Sequence, residues 1–430
     1  MPVWHDLTRD VVADGDLVLV GIVQEQHPDR TALFQQWRGF DFPILWDPFG
    51  FAGLDVVPVL TGIDEHGVVR VVRPNPRAFE SFMAEFVEQE FEAPLDDATG
   101  PPAFRVSEAA RIEPSTAGEP VAVGRRSAAR LLLGGPSSPT IDADVAALEA
   151  LAAVSGAPTD RFRAGVARRM RYDGPSARAE DFQVAVDAWR GALAARPDQY
   201  IWRRRIQQWG PRLDKPYAFY DWVETARREV ATRGETPVEV LVPLSGSEVA
   251  DGSRAVPTSD ADVDAPDPTG GITRDAGVHV RVETAVARHT ADAGSRPRTP
   301  RGSCRVHVTL RPRGTARWEP EADPAQLWVE LPDGWSATTR LAKFPRPVPG
   351  REAAPLTVDF GASTALVPLG PPKEGPPPPA EAILRAYAVY SVCLEDGTCV
   401  FRRQDLEIVV PLPPPGGRGE EDGGEGGDDR

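Results

Sequence analysis

Apolar positions in the first 40 residues recur at helical spacing, then as a continuous run, then at helical spacing again. Residues 2–12 place apolar side chains on one face and predict a helix. The apolar run over 17–23 predicts a strand covered on both faces. Pro28 and Asp29 are typical of a helix start and Gly39 of a helix end, so a second helix is predicted between them.

The next 50 residues have the pattern of a hairpin followed by a helix. Strands are predicted around 57–63 and 68–72, and Asp64-Glu65-His66-Gly67 between them has the length and the glycine of a hairpin turn. Residues 79–91 carry phenylalanines at helical spacing. Residues 1–92 therefore predict an α/β domain in the order helix, strand, helix, hairpin, helix.

The middle of the chain changes character twice. Pro, Gly, Ser and Ala predominate over 93–140 without sustained periodicity, so we expect a linker there. Residues 141–235 regain helical periodicity and predict a helical domain. Within it, Ala185, Trp189, Ala192 and Pro197 have the spacing of the second helix of a tetratricopeptide repeat (TPR). Because there is one copy and a solenoid needs several, we expect a TPR-like helical spacer.

Strand patterns dominate the last third of the chain. An aspartate-rich segment over 246–271 is too polar to fold alone and is predicted to be a second, acidic linker. Short alternating runs at 279–286, 304–310 and 327–330, followed by a final hairpin, are typical of a β-sandwich over 275–412. Cys304 alternates with apolar residues and is expected to be a buried thiol. Residues 413–430 are acidic and rich in Pro and Gly, and we expect disorder there.

The chemistry of the chain is concentrated in the final hairpin, residues 386–410. Two of the three cysteines, Cys393 and Cys399, lie there in a C-x5-C arrangement with strand patterns on both sides. Asp396-Gly397 between them is typical of a tight reversal. Facing residues of a hairpin have Cβ atoms about 4.5 to 5.5 Å apart, so the pair is expected to form and break a disulfide with little backbone movement.

Three interpretations of the cysteine pair are open: a redox-active pair, a structural disulfide or inert thiols, and a metal site. A disulfide that closes so short a loop contributes about 2 kcal/mol in the chain-entropy description, against about 4 for a loop of a hundred residues. It is a weak staple. The sequence has no second Cys or His pair nearby to complete a tetrahedral metal site. Glu395 and Asp396 would disfavour a thiolate, and Arg402 and Arg403 would favour one.

Charge and composition restrict the classes of function. The 430 residues carry a net charge of −16, which argues against a nucleic-acid or anionic-membrane surface. Arg203 to Arg205 form a basic patch that we expect to be a solvated or ion-paired helix face. No motif for a cofactor is present, and we expect none. Without an apolar run of about 18 residues or a signal sequence, and with three cysteines, the chain as written is predicted to be cytoplasmic.

The first 90 residues resemble the thioredoxin-like, redoxin (AhpC/TSA-type) family. The likeness rests on the order of elements, on Asp64-x-x-Gly67 and on Val57-Pro58. It implies that Pro58 is a cis-proline of structural importance near a redox site. It also implies that Pro2 corresponds to the proline after the family's C-x-x-C motif, which this chain lacks. Two alternatives follow: the domain is degenerate, or the protein starts upstream of Met1 with the first, central strand. If that upstream part includes a signal sequence, the protein is extracytoplasmic.

Residues 275–412 resemble the N-terminal domain family of the thiol:disulfide interchange protein DsbD. The likeness rests on Cys393-Leu-Glu-Asp-Gly-Thr-Cys399, with support from Trp318-Glu-Pro-Glu-Ala322 and Leu331-Pro-Asp-Gly-Trp335. It implies an immunoglobulin-like β-sandwich in which Cys393 and Cys399 are the catalytic pair. It further implies thiol-disulfide exchange with thioredoxin-like partners. The alternative is a non-catalytic interaction protein with a degenerate thioredoxin-like domain and a structural disulfide.

Overall fold

A computed structural model of the chain describes residues 2–74, 79–93, 111, 118–207, 220, 222–241, 263–288, 304–364 and 381–412. The chain forms two compact units, Met1–Trp209 with Tyr217–Asp251, and Gly210–Pro216 with Gly252–Arg430. Helices predominate in the first and antiparallel sheets in the second, so the predicted mixture of α and β architecture is confirmed. Over the described ranges, none of the helices combines the length and the apolarity needed to cross a membrane. The predicted tail 413–430 lies outside the described residues.

The amino-terminal part of the first unit alternates short strands with helices, and the rest is helical. Its elements are α1 Pro2–Asp14, β1 Gly21–Val23, α2 Pro28–Arg38, β2 Ile44–Trp46, β3 Thr61–Ile63, β4 Val69–Val72, α3 Phe79–Glu88, α4 Pro120–Gly134, α5 Ile141–Ser155, α6 Pro158–Asp173, α7 Asp181–Ala195, α8 Tyr200–Gln207 and α9 Val223–Thr232.

The predicted strand over 17–23 is shorter and less buried than its apolar run indicates. Within this run, only the three residues of β1 form a strand. β1 pairs in parallel with β2, a strand that the sequence pattern did not predict. Val18 is 76% exposed and Ile22 is 50% exposed, so the expectation of cover on both faces is wrong. The physical reason is that β1 has three residues in a sheet of two strands, which cannot enclose two faces.

The predicted hairpin over 57–72 is confirmed, with shorter strands. β3 pairs antiparallel with β4, and Gly67 has a φ of 79°, which a glycine adopts without steric cost. The Asp64 carboxylate accepts hydrogen bonds from the backbone N–H groups of His66 and Val68 at 2.9 and 2.8 Å. The turn is therefore fixed by its own aspartate, as in an Asx turn.

The predicted linker 93–140 is wrong over its last third, where α4 forms. Gly124 in α4 lies so close to α5 that a Cβ atom there would be 2.4 Å from Leu151 Cδ2. In the same way, a Cβ atom at Gly165 in α6 would be 2.6 Å from Trp189 Nε1 in α7. Gly124, which the sequence analysis assigned to a linker, is therefore a point of close helix packing, as is Gly165 in the predicted helical domain. Trp189, with Ala185 and Ala192, is fully buried, as the predicted helix spacing requires.

The amino-terminal elements and the helical segment, predicted as separate domains, belong to one compact unit. Leu33 of α2 is fully buried in a cluster with Val223 and Ala226 of α9, and Val240. Arg205 of α8 is buried, not solvated, and its Nη2 donates to the Gln24 carbonyl oxygen at 2.8 Å. Burial lowers the pKa of Arg205 to about 10. The expectation of a solvated helix face is therefore wrong at Arg205.

A buried cluster of ionisable side chains lies between α2 and α6. His27 Nε2 is 2.8 Å from Asp173 Oδ2, and Arg169 Nε donates to the same oxygen at 2.9 Å. All three side chains are at most 5% exposed. Burial, together with the charge of Arg30, lowers the pKa of His27. The pKa of Asp173 is lowered to about 2 because the attraction of Arg169 and His27 outweighs burial, which acts in the opposite direction.

The described part of the second unit consists of two antiparallel sheets. Its strands are β5 Val280–Arg288, β6 Cys304–Pro312, β7 Arg317–Trp318, β8 Gln326–Glu330, β9 Trp335–Ala337, β10 Leu341–Lys343, β11 Leu356–Thr364, β12 Glu381–Cys393 and β13 Cys399–Pro411. One sheet has the order β10-β8-β12-β13, with β7 also paired to β12, and the other has the order β5-β6-β11-β9.

The two sheets share a single apolar core. It includes Val306 and Val308 from β6, Leu327 from β8 and Val392 from β12, each fully buried. Cys304 is also fully buried there, as predicted, and burial raises the pKa of its thiol to about 12. Alternation therefore located the core-facing residues of the strands that it detected, although it missed β7, β9, β10 and β11.

The predicted linker 246–271 is wrong at its carboxyl end, because Asp267 is buried. The Asp267 backbone N–H donates to the Tyr387 hydroxyl at 3.2 Å, and the Asp267 carboxylate accepts from Arg403 Nη1 at 3.0 Å. Asp275 is buried as well and accepts from the Tyr390 hydroxyl at 2.7 Å. Asp267, which the sequence assigned to an acidic linker, is therefore a partner of strand residues, as is Asp275 at the start of the predicted sandwich.

Candidate functional site

The two cysteines lie at the closed end of a long hairpin. β12 and β13 pair in register from Glu381 with Pro411 to Cys393 with Cys399. The Cα atoms of the two cysteines are 3.9 Å apart, and their sulfurs are joined in a disulfide. The prediction that the hairpin places these residues opposite each other is confirmed.

A five-residue loop closes the hairpin with internal hydrogen bonds. The Leu394 N–H donates to the Thr398 carbonyl oxygen at 2.9 Å, and the Thr398 N–H donates to Asp396 Oδ1 at 2.9 Å. Gly397 has a φ of 79° and is the loop residue in the left-handed region. The Asp396-Gly397 reversal that the sequence predicts therefore lies directly beside the disulfide.

The two cysteine residues differ in burial. Cys399 is exposed, whereas Cys393 is half-buried. On the same face of β13 as Cys399, two residues further along, Phe401 is 51% exposed. The disulfide can therefore be approached from the side of Cys399.

Glu319, 74 residues before Cys393, places a carboxylate oxygen against both sulfurs. Its Oε2 is 2.8 Å from Cys393 Sγ and 3.0 Å from Cys399 Sγ. Its Oε1 accepts a hydrogen bond from the Glu321 backbone N–H at 3.3 Å. One carboxylate oxygen therefore accepts a backbone hydrogen bond, and the other lies close to both sulfurs of the disulfide.

The position of Glu319 follows from the strand that precedes it. In β7, Trp318 pairs with Val392 and Arg317 pairs with Cys393. Glu319 is the first residue after this paired segment. Trp318 is buried, and its indole N–H donates to the Ala354 carbonyl oxygen at 2.7 Å. A core tryptophan thus fixes the register that brings Glu319 to the sulfurs.

Sequence reasoning did not identify Glu319 as a site residue, although it used the surrounding Trp318 to Ala322 segment for a resemblance. The available signal was an acidic residue directly after a strand-ending tryptophan. The acidic residues it did consider, Glu395 and Asp396, are exposed, and Asp396 caps the loop. Arg403 is engaged by Asp267 and Asp405, at 3.0 Å and 2.6 Å. The carboxylate in contact with the sulfurs is the one from a distant strand.

Pro58, the third predicted site residue, belongs to the first unit, whereas the cysteine pair belongs to the second. It is exposed, and the Val57–Pro58 peptide bond is cis, as predicted.

The arrangement of Cys393, Cys399 and Glu319 can support attack by an external thiolate on the disulfide from the side of the exposed residue Cys399. It can also supply three ligand atoms, two sulfurs and one oxygen, that lie within 4.8 Å of one another. No family model, curated protein or solved structure matches this chain.

Proposed function

We propose that the protein is a thiol-disulfide exchange protein and that Cys393 and Cys399 cycle between disulfide and dithiol. The observation that carries the proposal is a disulfide at the tip of a hairpin in which one of the two cysteine residues is exposed. A buried structural disulfide would be inaccessible to an attacking thiolate, and thiol-disulfide exchange requires that access. The proposed order of events follows from the same difference in exposure.

In the proposed reaction, the thiolate of a thioredoxin-like or other thiol-disulfide partner attacks Cys399 Sγ. A bond forms between the partner and Cys399, the Cys399–Cys393 bond breaks, and Cys393 leaves as a thiolate that takes a proton from solvent. A second partner thiol then displaces Cys399 from the mixed disulfide, so that the partner is oxidised and the pair is reduced. Cys399 is assigned as the first sulfur attacked because Cys393 is half-buried.

Two family assignments accompany this proposal. An immunoglobulin-like sandwich for residues 275–412 is supported by the two antiparallel sheets that share one core. A thioredoxin-like domain for residues 1–92 is supported by the order α1, β1, α2, then the β3–β4 hairpin and α3. The likeness to the DsbD and redoxin families is the reason for proposing thioredoxin-like or other thiol-disulfide proteins as partners.

The reduction potential of the pair in glutathione buffers tests the proposal. Exchange proteins have potentials between about −270 and −120 mV, and structural disulfides lie below about −300 mV. We expect a value in the upper range. In addition, Cys393→Ala, first converted to the mixed disulfide of Cys399 with thionitrobenzoate, should form a mixed disulfide with a thioredoxin that lacks its resolving cysteine, with release of one thionitrobenzoate; Cys399→Ala treated in the same way should form less. A potential below about −300 mV together with no mixed disulfide from either variant would refute the exchange function.

A second candidate function is a non-catalytic interaction protein. It is favoured by the apolar residues exposed on or beside the short strands of the first unit: Val18, Val20, Ile22, Leu45, Ile63, Val69 and Val72. Exposed apolar side chains near open strand edges are typical of surfaces that pair with another chain. A Cys393→Ser, Cys399→Ser double variant that retains every cellular partner of the wild type would favour this function over exchange.

A further inference from the structure

We propose that the reduced form of the cysteine pair binds one zinc ion through Cys393 Sγ, Cys399 Sγ and Glu319 Oε2. This inference does not require the exchange function. The oxygen lies within 3.0 Å of both sulfurs, so the fold brings the three ligand atoms together before the disulfide is opened. Two thiolates and a carboxylate are ligands that zinc accepts in proteins.

The geometry of the hairpin fits a tetrahedral ion once the disulfide is opened. With zinc–sulfur bonds of about 2.3 Å, two sulfurs on one tetrahedral ion lie about 3.8 Å apart. The Cα atoms of the two cysteines are 3.9 Å apart on paired strands, so both side chains start from facing positions and rotation about χ1 can increase the distance between the sulfurs.

Glu319 is held in place without the metal. Its Oε1 accepts the Glu321 backbone N–H, and the preceding Trp318 is buried and bonded to the Ala354 carbonyl oxygen. Such support around a ligand orients it before the ion arrives. Cys399 is exposed, so a water molecule can complete the fourth position, as it does in open zinc sites.

The disulfide is reduced to two thiols before zinc binds. A phosphine reductant and water convert the disulfide to two thiols and a phosphine oxide. Each thiol then releases one proton as its sulfur binds zinc. The ion occupies the two sulfurs that exchange would use, so zinc would hold the pair reduced and unreactive until a chelator removes it.

The test is a zinc titration of the full chain in competition with a chromophoric chelator, under nitrogen and after removal of the phosphine. We expect one equivalent bound by the reduced protein and none by the oxidised protein. Glu319→Gln should weaken binding at least about tenfold, because loss of even a supporting group costs about 10- to 100-fold. Glu395→Gln is the matched control, since it removes the same charge from the exposed loop, and its affinity should stay within about twofold of the wild type.

A Cys393→Ser, Cys399→Ser double variant should bind no zinc, which separates the site from Cys304. The inference is overturned if the reduced protein binds no zinc, if the double variant binds as the wild type does, or if Glu319→Gln and Glu395→Gln have equal effects. Failure of mixed-disulfide trapping with intact zinc binding would refute exchange alone.

Discussion

Two clusters of ionisable side chains, one in each unit, bring together residues that are far apart in sequence. His27, Asp173 and Arg169 are at most 5% exposed and bond one another inside the helical unit. Glu319, Cys393 and Cys399 meet at the edge of a sheet, with Cys399 exposed. The first cluster is closed by protein on all sides and stabilises the packing of two segments. The second has an open side, and only such a cluster can meet a reactant.

The largest expected difference concerns stability. Asp173→Ala would leave His27 and Arg169 buried without their shared carboxylate, and loss of one partner of a buried ion pair costs about 3 to 5 kcal/mol. Urea unfolding of the first unit, followed by hydrogen exchange in α6, measures the effect. Asp187→Ala, at an exposed position of α7, should change stability by less than about 0.5 kcal/mol. Equal effects of the two variants would contradict the closed-cluster interpretation.

Within the second unit, the three cysteines should differ in reactivity. After reduction, iodoacetamide at pH 8 should modify Cys399 and Cys393 at least about a hundredfold faster than Cys304, because burial raises the Cys304 pKa to about 12 and its thiolate is scarce. Peptide mass spectrometry over time measures the three rates. In urea the three rates should converge, and a persistent difference there would show that burial is not the cause.

Glu319 should slow the reactions of the reduced pair. Two unit charges about 3 Å apart in water repel by about 1.4 kcal/mol, which is about tenfold in rate or equilibrium. Glu319→Gln should therefore raise the alkylation rate of the reduced pair at pH 7 by about five- to tenfold in chelator-treated protein. Glu395→Gln, in the exposed loop, should raise it by less than twofold. A slower Glu319→Gln variant would mean that the carboxylate assists the thiolates.

The smallest expected effect is the pH dependence of the closed cluster. The pKa of His27 is lowered from its ordinary value of 6.5, so the unfolded chain binds more protons than the folded chain as pH falls through that value. Stability of the first unit should therefore decline from pH 7 to 5, by no more than about 1.4 kcal/mol per pH unit for one proton. Asp173, with a pKa lowered to about 2, should add a second loss below about pH 4.

Hydrogen exchange in α6 between pH 7 and 5, corrected for intrinsic rates, measures this decline. His27→Gln removes the titrating group and should flatten the profile over that range. A decline of unchanged slope in His27→Gln would assign the pH dependence to other residues.

Sequence patterns alone determined the local elements whose stabilising contacts are close along the chain. The ends of α2 at Pro28 and Gly39, the turn at Asp64 to Gly67 and the register that opposes Cys393 to Cys399 depend on backbone preferences and on alternation within a few residues. The same alternation placed Cys304 in a core. Location in the cytoplasm and the identity of the partners remain predictions.

Only the tertiary structure decided which distant residues meet. Gly124 belongs to a helix because Leu151 packs against it, and Arg205 is buried because the Gln24 carbonyl oxygen accepts its hydrogen bond. Glu319 reaches the sulfurs because Trp318 is fixed in a core built from several strands. Composition indicates a linker, a solvated patch or an ordinary surface acid at these positions. Their actual environments depend on neighbours that sequence spacing does not specify.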